Sequence, residues 1–161
     1  ANPVGHLVLY LCGYRDEERQ QLSDYTCTAL QLANFWQDVS VDYGKGRIYV
    51  PHEDLRTFGV TETEIAQQQN TPAFCAMMKF QVERARDWFR QGLPLISKVD
   101  RDLAIDLDLF SRGGLEILHA IEQQGYAVLG NRPAISKSRK LALVTRAAIA
   151  KCFGMSLGAS R

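Results

Sequence analysis

Two aspartates, Asp38 and Asp42, stand four residues apart in the longest helical stretch of the sequence. At about 100° per residue, this spacing places both carboxylates on one face of a helix, one turn apart. Asn34 extends the row by another turn. Oxygen ligands in a row suit a hard cation, and Mg²⁺ typically takes one or two carboxylates, retains water and completes its shell with substrate phosphate. The pattern therefore predicts a magnesium site on Asp38 and Asp42, with Asn34 as a polar neighbour.

Two cationic side chains follow the aspartates directly. Lys45 and Arg47 lie in a loop with glycine at 44 and 46. An ammonium and a guanidinium group in this loop could meet the same phosphates that the metal binds. The loop therefore predicts contacts to a phosphate-bearing substrate.

The helix that carries the aspartates differs from an ordinary surface helix. Over residues 24–43 one wide face is apolar, and the opposite side is a narrow polar stripe: Cys27, Gln31, Asn34, Asp38 and Asp42. A surface helix normally has a broad polar side rich in Lys, Glu and Arg, and this span contains none of the three. We therefore expect the stripe to face an enclosed cavity, where the carboxylates need partners because an unpaired buried ion is costly.

The same aspartate spacing recurs at Asp102 and Asp106. That second pair stands beside Arg101 and among other charged residues, which is typical of a solvent-exposed helix face. Spacing alone is therefore weak evidence, and the enclosed stripe and the adjacent cations distinguish Asp38 and Asp42.

The rest of the sequence predicts helices joined by short connections. Apolar residues recur at helical spacing, Pro and Gly stand near segment ends, and no window alternates convincingly as a strand. The predicted helices cover residues 3–14, 16–43, 51–58, 62–69, 72–91, 100–124 with a weak point at Gly113-Gly114, and 134–153. This order predicts an all-α helical bundle in a single domain, residues 1–161.

Length and composition exclude several classes of protein. A chain of 161 residues suits roughly one domain. Its 19 basic and 18 acidic residues nearly cancel, so no global field favours a nucleic-acid partner. The longest apolar stretch, residues 7–12, is far below the ~20 residues that cross a bilayer. Four cysteines without CxxC spacing predict buried free thiols in a reducing compartment, so we expect a cytoplasmic protein.

The segment from Asn34 to Pro51, NFWQDVSVDYGKGRIYVP, resembles the second aspartate-rich motif of the squalene/phytoene synthase family. The opening ANPVG resembles the family's middle region, and residues 117–132, which end at Arg132, resemble its carboxyl-terminal region. Within the family, QLANFWQD followed by KGRIY is most similar to the bacterial hopanoid-pathway branch that makes hydroxysqualene.

This resemblance implies an isoprenoid-synthase fold with a central cavity, in which Mg²⁺ bridges aspartates to a prenyl diphosphate and assists its departure. It implies that the catalytic metal ligands are Asp38 and Asp42, and that the diphosphate contacts are Asn34, Lys45, Arg47 and Arg132. The implied substrate is presqualene or farnesyl diphosphate, and the implied product is hydroxysqualene or squalene. Diphosphate loss leaves a carbocation that apolar side chains must surround, and Leu30, Phe35 and Val41 border the stripe. A GxGxxG dinucleotide motif is absent from the sequence, which argues against reduction by NADPH.

The sequence departs from the family pattern in two places. Family members carry an earlier helix with a first aspartate-rich motif, but only Asp16 and Asp24 precede Asn34, and neither lies in such a motif. The family also often has a tyrosine where Gly114 stands. We therefore expect the carboxyl-terminal part of a longer synthase domain, which alone is inactive unless a homodimer supplies the missing ligands.

Other interpretations stay open at this point. Glu116 and His119 have an ExxH spacing that a di-iron bundle uses, although the sequence lacks the second ExxH. Cys27 lies on the polar stripe, where small core filler is the simplest role for it. The basic residues of segment 137–151 could touch an acidic lipid surface as a peripheral membrane contact. The whole chain could also be a truncated, non-catalytic helical module that binds a lipid or a protein partner.

Overall fold

The computed structural model describes residues 1–153, and these contain helices and no strand. The elements are α1 (Asn2–Leu11), α2 (Glu17–Gln37), α3 (Val39–Tyr43), α4 (His52–Phe58), α5 (Glu62–Ala66), α6 (Pro72–Gly92), a 3-10 helix (Leu93–Lys98), α7 (Arg101–Gln123) and α8 (Lys137–Phe153). The prediction of an all-α fold is confirmed. Within the described part of the chain, every helix is too short or too polar to span a bilayer.

Side-chain caps mark several helix starts. The carboxylates of Asp16 and Asp100 accept backbone N–H groups in the first turns of α2 and α7. Thr61 and Glu64 form a reciprocal capping box at the start of α5. Each cap satisfies N–H groups that have no partner inside the helix. These polar residues fix the helix boundaries because each stands just before an apolar periodic segment.

Helix α2 lies at the centre of the fold, in contact with α1, α6 and α7. Its apolar face contributes Ala29, Ala33 and Trp36 to the core, where all three are buried. The other large buried side chains come mainly from α6 and α7: Phe74, Met77, Met78, Phe89, Leu118 and Ile121. Burying side chains of this size stabilises a fold by about 1.5–3 kcal/mol each. Packing in the core therefore fixes the orientation of α2 about its own axis, and its polar stripe lies on the side away from the core.

Helix α7 runs without interruption through Gly113 and Gly114, so the predicted weak point is wrong. Gly114 is a close-contact position. A Cβ atom there would overlap the ring of Phe89 and lie 3.0 Å from Leu30 Cδ2. The missing side chain therefore lets α7 approach α2 and α6, and the same spot leaves no room for a tyrosine.

Several boundaries differ from the prediction. The first helix ends at Leu11 rather than 14, and the helix that begins at Glu62 ends at Ala66 rather than 69. The long helix predicted to Tyr43 ends at Gln37, because Asp38 leaves the helical region with φ −106° and ψ 15°. Hydrogen bonding nevertheless continues across this bend, since the Asp42 N–H donates to the Asp38 carbonyl at 2.8 Å. The last helix begins at Lys137 rather than 134. The segment after Gly92, which sequence reasoning interpreted as a simple interruption, forms a 3-10 helix with Pro94 in its first turn.

Candidate functional site

Asp38 and Asp42 lie at the junction of α2 and α3, one turn apart along the chain. Asp38 ends α2, and its side chain is 27% exposed. Asp42 belongs to the single turn of α3, and its side chain is 15% exposed. Both carboxylates are thus partly shielded, which strengthens their electrostatic interactions relative to water.

Each carboxylate pairs with a cation from a different part of the chain. Arg132 Nε donates to Asp38 Oδ1 at 2.5 Å, and this hydrogen bond raises the pKa of Arg132. Lys45 Nζ lies 3.7 Å from Asp42 Oδ1. Arg132 follows α7, whereas Lys45 lies in the loop just after α3. The fold therefore brings two of the cations predicted from sequence to the two aspartates.

The segment that carries Arg132 is fixed by two residues that sequence reasoning missed. Gln37 is buried, and its amide contacts both Arg132 Nη2, at 3.1 Å, and the Pro133 carbonyl, at 2.7 Å. The Ser40 hydroxyl accepts the Gly130 N–H at 3.1 Å. A signal was available, because Gln37 is an amide beside Asp38 on the apolar side of the helix, where an unpaired polar group would be costly.

Arg47 lies in the same region as Asp42, at the rim of a small pocket. The pocket is lined by both residues together with Phe35, Trp36, Val39 and the segment 48–50. The rings of Phe35 and Tyr49 stack there with centroids 3.8 Å apart and an interplanar angle of 6°. An exposed guanidinium therefore stands next to an aromatic surface, a few residues from the carboxylates.

Asn34 lies one turn before Asp38, and its carbonyl accepts the Asp38 N–H at 3.0 Å. Asn34 and Gln31 are both exposed, and Val41 is exposed too. The expected enclosed cavity is therefore not closed by residues 1–153. Helical periodicity places the polar stripe opposite the apolar face correctly, but it does not indicate what covers either face.

The donors at this site fit a magnesium ion. They are two carboxylates one turn apart, and the residues that the structure describes contain no group of three or more His, Cys, Asp or Glu that could form a metal cage. Mg²⁺ suits such a site because it commonly binds one or two carboxylates, water and a ligand phosphate. Asp38 and Asp42 can therefore hold Mg²⁺ together with a phosphate-bearing ligand, whose charge Arg132, Lys45 and Arg47 match.

The alternative sites gain no support from the geometry. Arg139 Nη1 donates to both carboxylate oxygens of Glu116, and His119 Nδ1 lies 3.6 Å from Glu122 Oε2. No third ligand joins Glu116 and His119 within the described range. Cys27 packs against the backbone of Gly5, where α1 crosses α2, which agrees with a role as small core filler. All four cysteines are free thiols, but the prediction that they are buried is wrong, because Cys12 and Cys152 are exposed and Cys27 and Cys75 are partly exposed.

Comparison with known proteins gives a consistent family. The family model described as squalene/phytoene synthase matches residues 1–139. The 15-cis-phytoene synthase of Synechococcus elongatus is 35% identical over 70% of this chain and 37% of its own length. The presqualene diphosphate synthase of Rhodopseudomonas palustris is 28% identical over 92% of this chain and 53% of its own length.

Solved structures agree with the fold. Squalene synthase HpnC from Alicyclobacillus acidocaldarius has a TM-score of 0.77 and 47% identity, over 78% of this chain and 48% of that one. A dehydrosqualene synthase in complex with a ligand has a TM-score of 0.74 and 25% identity, over 83% and 47%. The chain thus spans about half or less of the length of these relatives. It belongs to the squalene/phytoene synthase family.

Proposed function

We propose that the protein binds a prenyl diphosphate through Asp38, Asp42 and Mg²⁺, and converts it by loss of the diphosphate. One observation carries this proposal: each aspartate already pairs with a cation, Asp38 with Arg132 from the distant segment after α7 and Asp42 with Lys45 from the adjacent loop. A site of this composition has carboxylates for the metal and cations for the phosphates. Membership of a family of synthases supports the same class of reaction.

The charged and neutral residues of the site have different proposed roles. Mg²⁺, when bound, supplies Lewis-acid stabilisation of the leaving diphosphate. Arg132 and Arg47 offer planar forks of N–H donors that match phosphate oxygens, while Lys45 adds a flexible point charge. For Arg132 to bind phosphate, its guanidinium must exchange the Asp38 carboxylate for a phosphate oxygen. Asn34 presents a neutral amide one turn away that can orient the ligand without adding charge.

Apolar and aromatic side chains beside the stripe suit the hydrocarbon part of the substrate. Phe35 stacks on Tyr49. By helical spacing, Leu30 and Val41 border the polar stripe. After the diphosphate leaves, a carbocation must be protected from uncontrolled reaction with water. Aromatic faces stabilise such cations through their negative quadrupole. We propose Phe35 as the aromatic wall nearest to the departing diphosphate.

The proposed substrate is presqualene diphosphate, and the proposed product is hydroxysqualene, with water capturing the cation. The 47% identity to a protein described as a squalene synthase supports a squalene-type reaction. The alternative is farnesyl diphosphate, which the resemblance to a presqualene diphosphate synthase supports.

The test incubates the full-length protein with each diphosphate and Mg²⁺, and identifies extracted products by mass spectrometry. Hydroxysqualene from presqualene diphosphate supports the proposal. If only farnesyl diphosphate is consumed, the proposed substrate, presqualene diphosphate, is wrong, but the proposed loss of diphosphate still holds. Reaction with neither substrate favours the non-catalytic helical module.

We also propose a peripheral membrane contact through α8. Three of its basic side chains face α7, where Arg139, Arg146 and Lys151 pair with Glu116, Asp108 and Asp106. The outward side instead presents Leu141, which is 67% exposed, and Val144, which is 59% exposed. Lys137 and Lys140 flank this side without an ion pair to a described residue, which suits an anionic bilayer surface.

Flotation with vesicles tests this contact. The wild-type protein is expected to float with vesicles that contain phosphatidylglycerol, and the Leu141→Ser/Val144→Ser variant is expected to remain at the bottom. Equal flotation of both proteins would contradict the contact.

A homodimer interface is proposed on α1. Its outer side chains Val4, Leu7 and Leu11 are exposed, and a contiguous exposed apolar face is typical of an interaction surface. A second copy packed there would bury this face beside the α1–α2 crossing. Analytical ultracentrifugation of the full-length protein is expected to show a dimer that Leu7→Glu dissociates, and a wild-type monomer would contradict it.

A further inference from the structure

Gln37 connects the last turn of α2 to the segment that carries Arg132. Its side chain is 8% exposed, and both ends of its amide are used. Nε2 donates to the Pro133 carbonyl at 2.7 Å, and Oε1 accepts from Arg132 Nη2 at 3.1 Å. The loop after α7 is thereby tied to α2 beside Asp38.

Arg132 therefore has two partners, which contact different nitrogens of one rigid group. Nε donates to Asp38, and Nη2 donates to Gln37. A guanidinium offers five N–H donors in a fixed fork, so loss of the Asp38 contact leaves the Gln37 contact geometrically intact. A neutral amide acceptor also leaves the positive charge of Arg132 available to an anion, whereas a carboxylate neutralises it.

We propose that Gln37 is a positioning residue, which holds Arg132 at the site when Asp38 exchanges the guanidinium for a divalent cation. The inference rests on the proposed function, because it requires Asp38 to bind the cation and Arg132 to bind the diphosphate. Without Gln37, the released Arg132 side chain, which is otherwise exposed, regains its rotamer freedom and must lose it again on binding.

Gln81 provides a matched control elsewhere in the fold. It is fully buried, its Nε2 donates to Asp54 Oδ2 at 2.7 Å, and its Oε1 accepts from Arg84 Nη1 at 3.3 Å. There too, a buried glutamine accepts from an arginine and donates to another residue. This bridge lies between α4 and α6, and none of the proposed site residues is among its partners. A purely structural role for Gln37 predicts that both glutamines behave alike.

The experiment measures binding of inorganic pyrophosphate with Mg²⁺ to the full-length protein by isothermal titration calorimetry. Gln37→Met, which keeps the side-chain length and removes the amide, is expected to weaken binding about ten-fold or more, as expected for a lost hydrogen bond to a charged group. Arg132→Gln is expected to weaken it at least as much. The double variant is expected to bind no more weakly than Arg132→Gln, because both changes remove the same contact. Gln81→Met is expected to lower the thermal midpoint and leave pyrophosphate affinity unchanged.

Two results would overturn the inference while the proposed function stands: wild-type affinity in Gln37→Met, or losses that add in the double variant. If the wild-type protein does not bind pyrophosphate, or if Asp38→Asn binds it equally well, the proposed function fails and the inference fails with it. If circular dichroism shows that Gln37→Met is unfolded, Gln37→Asn replaces it. That variant keeps a polar amide but is one methylene too short to reach both partners, so wild-type affinity there would also overturn the inference.

Discussion

Arg132 and Asp38 are 94 residues apart in the sequence and form an ion pair at the junction of α2 and α3. The pair joins the loop after α7 to Asp38, the first of the two site aspartates. Both residues are parts of the proposed site, so the contact places the cation proposed to bind phosphate against the carboxylate proposed to bind the metal. Charge pairing holds the site together before any ligand is bound.

Replacement of Arg132 by lysine is expected to raise the KM for the prenyl diphosphate about ten-fold or more. Lysine keeps the charge, but its single ammonium cannot contact Asp38 and Gln37 through separate nitrogens as the guanidinium does. Steady-state kinetics of the full-length enzyme would measure the change. Arg139→Lys is the control, since Arg139 pairs with Glu116 on the surface of α7 and its replacement should leave the KM unchanged. Equal KM values for Arg132→Lys and the wild type would contradict the assignment.

Adding a methyl group at Gly114 is expected to destabilise the fold by about 1–3 kcal/mol, because the new Cβ overlaps Phe89 in a packed interface. Gly113, the neighbouring residue in α7, has open space around it. Gly113→Ala is therefore expected to stabilise the protein by up to about 1 kcal/mol through helix propensity. Urea unfolding of the two variants would measure both effects, and a stabilised Gly114→Ala variant would contradict the close approach of α7 to Phe89.

The buried carboxylate of Asp54 is expected to make the stability of the fold depend on pH in the acidic range. Burial opposes its ionisation, but hydrogen bonds from Arg84 and Gln81 outweigh burial and lower the pKa of Asp54 below its ordinary value of 3.8. Because the unfolded chain then binds more protons, this contribution is complete above about pH 4 and is lost as the pH falls through the folded-state pKa.

Asp54→Asn is therefore expected to lower the thermal midpoint at pH 7, with a loss of about 2 kcal/mol for a buried charged hydrogen bond. The difference from the wild type should shrink steadily below about pH 4. Thermal melts from pH 3 to pH 7 would test the sign. A difference that stays constant across that range would mean that the Arg84 and Gln81 contacts do not act on the ionised carboxylate.

Sequence patterns predicted the helices well because their signals are local. Thr61, Asp16 and Asp100 cap helices at the predicted starts, and the apolar period of α6 gives its buried face. The bend at Asp38 was missed because no Gly or Pro marks it. The close packing at Gly114 was also missed, since a glycine in a helix does not reveal which side chain lies opposite.

The candidate site was predictable in part for the same reason. The row of Asn34, Asp38 and Asp42 follows from helical spacing, and Lys45 lies within reach of Asp42 because the two are close in sequence. The position of Arg132 depends on tertiary folding and came only from the family resemblance. The role of Gln37 came only from the structure, because its two partners lie 95 and 96 residues away.

The proposed reaction depends most on Asp38 and Asp42, and one comparison of variants tests these two residues directly. Full-length protein is incubated with presqualene diphosphate and Mg²⁺, and released pyrophosphate is measured for the wild type, Asp38→Asn/Asp42→Asn and Asp102→Asn/Asp106→Asn. The second double variant removes the other pair of aspartates at the same spacing, whose Asp106 pairs with Lys151 on the surface. We predict that the first variant loses Mg²⁺-dependent release while its far-ultraviolet circular dichroism is unchanged, and that the second keeps wild-type release. Wild-type release from Asp38→Asn/Asp42→Asn would contradict the central claim.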